Sequence, residues 1–212
     1  MEKKNFYDFC QIIEKLRAPG GCPWDREQTH STLAKHLLEE AYEAYDAIEE
    51  GDSHKMADEL GDVLLQIVMH AQVGKEAGTF DINDVTDAVS RKMIERHPHV
   101  FGDIMVKDSG EVLENWDQIK KKERGQEKTW EVLEGVTRSL PALYRAGKII
   151  DKAQKADFIS FEDGELLTEE KIGEKLFELC ILSRQNGVNP EEALSAYTKK
   201  FIKKIKNIEE NT

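Results

Sequence analysis

Five carboxylates in two short clusters are the residues of this sequence best suited to chemistry. Glu39, Glu40 and Glu43 form the first cluster, and Glu59 and Asp62 form the second. Residues one, three and four apart lie on one side of an α-helix, and each cluster borders an apolar stripe. If the stripes pack together, the carboxylates converge and repel one another unless a cation lies among them. The pattern predicts a Mg²⁺ or Mn²⁺ site of the kind that serves phosphate chemistry; the alternative is two solvated acidic helix faces.

Two helices must carry these clusters. Gly51, Asp52 and Ser53 lie between them and predict a tight break, because glycine ends helices well and Asp or Ser caps the next one. We therefore predict a hairpin of helices over residues 28–50 and 53–76. An amphipathic helix over residues 5–17 precedes it, followed by a loop at residues 22–25. In that loop Asp25 is expected to cap the next helix, and Trp24 is either a lid over a ligand or, as we favour, anchored in the core.

Basic and aromatic residues lie on the two helices expected next. The helix over residues 82–97 turns Val85, Val89 and Met93 inward and carries Lys92 and Arg96, four residues apart, which suit phosphate oxygens or a solvated basic edge. His97, Pro98 and His99 end this helix, and residues 100–108 are expected to be a loop. The helix over residues 109–124 carries Trp116 and Lys120. An indole can stack on any nucleobase, although it can equally pack in a core.

His36 and His70 are interpreted as polar-edge residues, because hard carboxylate sites for Mg²⁺ rarely recruit histidine.

The order of these motifs resembles the MazG family, the all-α nucleoside triphosphate pyrophosphohydrolases. That family has EExxE on one helix and ExxD on the next, which Glu39–Glu43 and Glu59–Asp62 match. The flanks match as well, with GGCPWDREQTH at residues 20–30 and RHPHVFGD at residues 96–103. The resemblance is specific over about residues 5–125 and continues more weakly to the C-terminus.

The resemblance implies Mg²⁺-dependent hydrolysis of nucleoside triphosphates to nucleoside monophosphate and pyrophosphate. It implies that four carboxylates bind the metal. It also implies that Glu39 either orients or deprotonates the attacking water, or serves as a further metal ligand. We also assign a catalytic role to Glu43. It further implies that Lys92, Arg96 and Lys120 hold phosphates and that Trp116 covers the base. Few base-specific groups are visible, so broad specificity for the base is expected. The implied metal ligands are Glu40, Glu43, Glu59 and Asp62.

The C-terminal part aligns with the first unit as a degenerate copy. Residues 171–176 align with residues 59–64, and residues 199–204 align with residues 91–96. No EExxE helix is expected between residues 156 and 168, where FISFEDGELL remains, and Lys171 replaces the first glutamate of ExxD. We predict an all-α helical bundle in two units, a catalytic unit at residues 1–125 and a truncated unit at residues 126–212. The second unit is expected to lack its own metal site and to serve packing or dimerisation, and residues 121–131 are read as the linker.

The charge and composition of the chain argue against several classes of binding partner and of cellular location. A net charge of −12 over 212 residues argues against general nucleic-acid binding, and no apolar run approaches the length of a membrane span. The first six residues lack a signal-peptide core, so a cytoplasmic location is expected. Three widely spaced cysteines (Cys10, Cys22, Cys180) predict neither a disulfide framework nor a zinc site. Thin helical bundles commonly associate and the resembling family forms dimers, so a homodimer is expected.

Two alternatives to a broad pyrophosphohydrolase remain open at this point. One is a narrower enzyme that acts on dUTP, dCTP or a damaged nucleotide. The other is a non-catalytic scaffold or regulatory protein that binds nucleotide or metal and acts through its C-terminal half. No P-loop pattern is present, so a kinase or mechanoenzyme of that type is not indicated.

Overall fold

The computed structural model describes residues 3–161, 164 and 166–211. Across these residues it contains eleven α-helices and no strand, which confirms the all-α prediction. The same residues contain no helix that is long and apolar enough to cross a membrane. The chain divides into two compact units, Met1–Asp103 and Ile104–Thr212.

The first unit is built from six helices around a long helical hairpin. The hairpin pairs α3 with α4, and its turn is formed as expected: Gly51 has a left-handed φ of 72°, and the Asp52 side chain accepts hydrogen bonds from the N–H groups of His54 and Lys55. The six helices are α1 (Phe6–Arg17), α2 (Pro23–Glu27), α3 (His30–Glu50), α4 (Ser53–Ala77), α5 (Ile82–Arg96) and α6 (Pro98–Phe101).

Arg17 joins three segments of this unit. It is 8% exposed, and its guanidinium donates two hydrogen bonds to the Glu76 carboxylate at 2.9 and 2.7 Å. The remaining terminal nitrogen donates to the carbonyls of Asp25 and Gln28. One buried cation therefore links α1, the end of α2 and α4 beside a small core of Ile13, Leu33, Val68 and Met69.

The segment before the hairpin differs from the sequence-based prediction. Residues 23–27 form α2 instead of a loop, because Pro23 supplies a preset φ at the first helical position. Asp25 lies in the first turn of α2, and Thr29 caps α3 through a capping box with Thr32. Trp24 is 57% exposed, so the expectation that the core anchors its ring was wrong. The short α6 likewise replaces the start of the loop expected at residues 100–108.

The inward face expected for α5 is only partly buried. Val85 is half-buried, but Val89 and Met93 are 49% and 36% exposed. The periodicity of the sequence identified the apolar stripe correctly and overestimated how much of it a single chain covers.

The second unit has its own core. Leu133, Val136, Ile149, Ala153, Ile202 and Ile205 are buried together, and α11 packs on both α8 and α9. α11 begins at Pro190, and the Asn189 side chain caps it by accepting a hydrogen bond from the N–H group of Glu191. The five helices are α7 (Ser109–Glu123), α8 (Thr129–Glu134), α9 (Ala142–Gln154), α10 (Glu169–Gln185) and α11 (Pro190–Glu210).

The segment read as a linker is largely helical. α7 extends to Glu123 and α8 begins at Thr129, which leaves only residues 124–128 between them. The division into compact units falls after Asp103, so α7 belongs structurally to the second unit, while the functional boundary after residue 125 stays a prediction. The FISFEDGELL stretch includes Glu162, Asp163 and Glu165, which lie outside the described residues. Cys10, Cys22 and Cys180 are free thiols.

Candidate active site

The helical hairpin brings three carboxylates together. Glu40 and Glu43 on α3 and Glu59 on α4 each offer one oxygen atom, and the three atoms lie within 4.8 Å of one another. The small side chains of Ala44 and Ala47 are buried on the hairpin side of α3, and α3 and α4 make the most extensive helix pairing of the chain. The close pairing of these two helices therefore positions the group.

The charges that act on Glu40 come from four other carboxylates, so the site comprises five carboxylates in all. Partial burial raises the pKa of Glu40, and the negative charges of Asp62, Glu43, Glu59 and Glu39 raise that pKa further. Each of these neighbours makes the ionised form of Glu40 less favourable. Several carboxylate oxygens that crowd in this way form a donor set that fits a hard divalent cation such as Mg²⁺ or Mn²⁺.

Glu39 lies at the edge of this group with a partner of its own. Its Oε2 atom is 3.0 Å from Nδ1 of His36, one turn earlier on α3. A carboxylate only accepts, so Nδ1 is assigned as the donor. The sequence interpretation treated His36 as an ordinary edge residue and missed this contact, although the three-residue spacing to Glu39 was a sufficient signal.

The remaining predicted site residues lie on two other helices. Lys92 and Arg96 are one turn apart on α5, with Lys92 exposed and Arg96 half-buried. Trp116 and Lys120 are one turn apart on α7 of the second unit, and both are half-buried. Within one unit, the structure therefore brings together the carboxylates, whereas Trp116 and Lys120 belong to the other unit.

A large cavity lies in the second unit, between α7, α8 and α9. It has a volume of about 580 Å³, and Lys120 is among its lining residues. Lys148 and Lys152 of α9 and Lys155, the residue that caps its C-terminus, also line it, and none of the three was singled out from the sequence. Their spacing of four and three residues along one helix was the available signal.

Comparison with known proteins identifies a family of related sequences. The profile of the MazG nucleotide pyrophosphohydrolase domain matches residues 28–101, a range that contains all five carboxylates. A Thermotoga maritima protein named nucleoside triphosphate pyrophosphohydrolase/pyrophosphatase MazG is 41% identical over 97% of this chain and 86% of its own length. An Escherichia coli nucleoside triphosphate pyrophosphohydrolase is 39% identical over 93% of this chain and 84% of its own length.

A third relative is longer than this chain. The Bacillus subtilis protein YabN, described as uncharacterized, is 41% identical over 97% of this chain, which spans 46% of that protein. The matches to the Thermotoga maritima and Escherichia coli proteins cover most of both sequences. The chain belongs to the MazG family of nucleotide pyrophosphohydrolases, hydrolases that act on phosphoric anhydride bonds.

Proposed function

We propose that this chain hydrolyses nucleoside triphosphates to nucleoside monophosphate and pyrophosphate with the help of Mg²⁺, for which Mn²⁺ can substitute. The observation that carries the proposal is the group of converging carboxylates on α3 and α4. Glu40, Glu43, Glu59 and Asp62 would hold the cation. The bound cation supplies positive charge that offsets the charge building on the leaving pyrophosphate.

The protein's own groups orient the reactants. Water attacks the α-phosphorus, the bond from that phosphorus to the bridging oxygen breaks, and pyrophosphate leaves. Glu39, held by His36 at 3.0 Å, is the group proposed to orient this water and accept its proton, or to serve as a further ligand. Lys92, Arg96 and Lys120 are proposed to hold phosphate oxygens, and Trp116 to stack on the base.

We propose that the enzyme accepts nucleoside triphosphates with any of the common bases. Stacking on an indole accepts every base, because each has a π face, and no base-reading group has been identified. The cytoplasm, where nucleoside triphosphates are abundant, remains the expected location. We also propose a homodimer, since large apolar side chains of the hairpin are exposed in the single chain, among them Leu38, Tyr42, Tyr45 and Ile48.

Product analysis tests the reaction directly. The purified chain is incubated with ribo- and deoxyribonucleoside triphosphates in Mg²⁺ or in EDTA, and monophosphate, diphosphate, phosphate and pyrophosphate are resolved. We expect monophosphate and pyrophosphate in equal amounts, only with Mg²⁺, and a loss of kcat/KM of about 100-fold or more in Glu43→Gln. Glu49→Gln makes the same change at an exposed position of the same helix and should retain activity.

Other products or none would redirect the proposal. Diphosphate and phosphate would mean that a different bond is cut and that the attack at the α-phosphorus is wrong. Nucleotide that binds without turnover would support the non-catalytic alternative. Turnover of dUTP or dCTP alone would replace the broad specificity with a narrow one.

A further inference from the structure

The cavity of the second unit is strongly basic in an otherwise acidic chain. Among the lining residues that the structure describes, Glu114 and Asp117 are acidic and six are cationic, in a chain whose net charge is −12. Cations concentrated in a concave site attract anions and raise their local concentration. The six cationic residues are Lys120, Lys121, Arg124, Lys148, Lys152 and Lys155.

The cations come from two helices that are joined by an ion pair. Lys155, which directly follows α9, donates to the Asp117 carboxylate on α7 at 3.0 Å, and the Nζ of Lys152 on α9 lies 4.0 Å from the same carboxylate. Lys148, Lys152 and Lys155 follow one face of α9, at positions i, i+4 and i+7. Asp117 therefore bridges these two parts of the cavity and offsets part of their positive charge, while the described lining residues keep an excess of four positive charges.

The cavity is also lined by small and apolar residues. Val132, Val136, Leu140 and Ala156 line the cavity, together with the hydroxyl-bearing residues Thr129 and Thr137. A volume of about 580 Å³ lies within the usual range for small-molecule sites. Such a space accommodates more than a single phosphate, and its apolar side can accept a planar or carbon-rich group.

We propose that this cavity is a binding site for a diphosphate group, carried either by free pyrophosphate or by a nucleotide. Two or more adjacent phosphates match an excess of four positive charges better than a monoanion does. The inference rests on the cationic side chains at α9 together with Lys121 and Arg124. It therefore does not depend on the role proposed for Lys120 or on the proposed hydrolysis of nucleoside triphosphates. Free pyrophosphate would make the cavity a product site, and a nucleotide would make it a second nucleotide site.

Calorimetric titration in EDTA tests this site separately from the acidic cluster, because EDTA removes the divalent cation that the cluster requires. The full chain carrying Glu43→Gln is titrated with pyrophosphate, ATP, ADP, orthophosphate and adenosine. We expect saturable binding of the diphosphate-bearing compounds and at least tenfold weaker binding of orthophosphate. Equal affinities for pyrophosphate and ATP identify the free anion as sufficient, and at least tenfold tighter ATP identifies a nucleotide site.

A matched pair of variants locates the binding. Lys148→Gln with Lys152→Gln removes two cations of the cavity, and we expect at least a tenfold loss of affinity. Lys199→Gln with Lys203→Gln removes two exposed cations of α11 that do not line the cavity, and its affinity should stay within twofold. Equal losses in both variants would show unspecific charge attraction and overturn the site.

Chemical protection gives a readout that needs no substitution. Acetylation of Lys148 and Lys152 in the unaltered chain, followed by mass spectrometry, should slow at least threefold when pyrophosphate is added in EDTA, whereas acetylation of Lys199 should not change. Absence of saturable binding, or binding that appears only with Mg²⁺, would refute the proposal. Failure of the hydrolysis assay alone would leave it standing, since none of these measurements requires turnover.

Discussion

At the scale of single residues, the crowding of negative charge around Glu40 dominates the site. Its pKa is raised by burial and by the charges of four neighbouring carboxylates. Without a cation this arrangement costs free energy at neutral pH, because four ionised neighbours disfavour a fifth charge. A cluster that is unfavourable by itself becomes favourable when a divalent cation binds, and stability and metal binding are therefore coupled.

The first prediction concerns that coupling. In EDTA at pH 7, Glu59→Gln should be as stable as the parent chain or up to about 1 kcal/mol more stable, because it removes one repelling charge. Added Mg²⁺ should raise the Tm of the parent chain and leave that of Glu59→Gln nearly unchanged. Thermal unfolding with and without Mg²⁺ measures both effects. Glu49→Gln is the control and should respond to Mg²⁺ like the parent, and an undiminished shift in Glu59→Gln would contradict the metal site.

The second prediction concerns the Arg17–Glu76 pair. The hydrogen bonds from Arg17 lower the pKa of Glu76 below its ordinary value. A carboxyl whose folded-state pKa is lowered contributes stability above its unfolded-state pKa and loses it as pH falls through the folded-state value. Because the Glu76 side chain is 40% exposed, we expect Glu76→Gln to cost only about 1 kcal/mol at pH 7.

Urea unfolding of both chains between pH 7 and pH 3 measures this contribution. The difference in free energy of unfolding between the parent and Glu76→Gln should shrink as pH falls below the ordinary range of glutamate. Glu14→Gln removes an exposed ion pair with Lys75 and should change stability by less than about 0.5 kcal/mol. A difference that stays constant across this pH range would show that the charge of Glu76 does not contribute.

At the scale of elements, the sequence predicts the hairpin well because its signals are local. Gly51 and Asp52 determine the break between α3 and α4, and Asn189 and Pro190 determine the start of α11. The convergence of Glu40, Glu43 and Glu59 follows from helical spacing once the two helices pair. Pro23 was a local signal for α2 that the sequence interpretation did not use, whereas the hydrogen bonds from Arg17 to the carbonyls of Asp25 and Gln28 join separate segments and could not be predicted from local signals.

The basic cavity was missed for a related reason. Lys120 was assigned from the family motif, whereas the sequence analysis singled out none of Lys148, Lys152 and Lys155. They line one cavity with Lys120 because α7 lies near the C-terminal end of α9, where Lys155 donates a hydrogen bond to Asp117. Periodicity within one helix shows which residues share a face and does not show what lies opposite that face.

The third prediction tests a cap that acts between elements. The Glu209 carboxylate near the end of α11 accepts hydrogen bonds from the backbone N–H groups of Thr129 and Trp130, each at 2.9 Å, at the start of α8. A negative charge there also complements the helix dipole. Glu209→Gln should therefore cost about 1 kcal/mol.

Chemical unfolding followed by tryptophan fluorescence suits this test. The Nζ of Lys206 on α11 lies 3.8 Å from the centre of the Trp130 ring, so the fluorescence of Trp130 reports on the contact between α8 and α11. Glu210→Gln is the control, since Glu210 makes only a long intrahelical ion pair with Lys206, at 3.7 Å. If both variants lose the same free energy of unfolding, the cap of α8 by Glu209 does not contribute to stability beyond an ordinary surface carboxylate.

At the scale of the whole molecule, the first unit exposes more large apolar side chains than its small core buries. Its buried apolar residues in the described range are Ile13, Leu33, Ala44, Ala47, Val68, Met69 and Ala71. Exposed apolar side chains on α3, α4 and α5 include Leu38, Tyr42, Tyr45, Ile48, Leu60, Leu64, Ile67, Val89, Met93 and Ile94. Exposed apolar side chains in this number are typical of an interaction site, and a second copy of the chain presents the same residues.

The last prediction tests that dimer. Ile48 is 49% exposed on α3, and Ile48→Lys places a charge on the apolar face, where pairing would bury it without a partner. Light scattering coupled to size exclusion should give a dimer of the parent chain and a monomer, or at least a tenfold weaker dimer, for Ile48→Lys. Glu49→Lys introduces the same side chain at the next, polar position of the helix and should remain dimeric. A parent chain that is monomeric at all protein concentrations would reject the dimer, and the exposed face would then require a different partner.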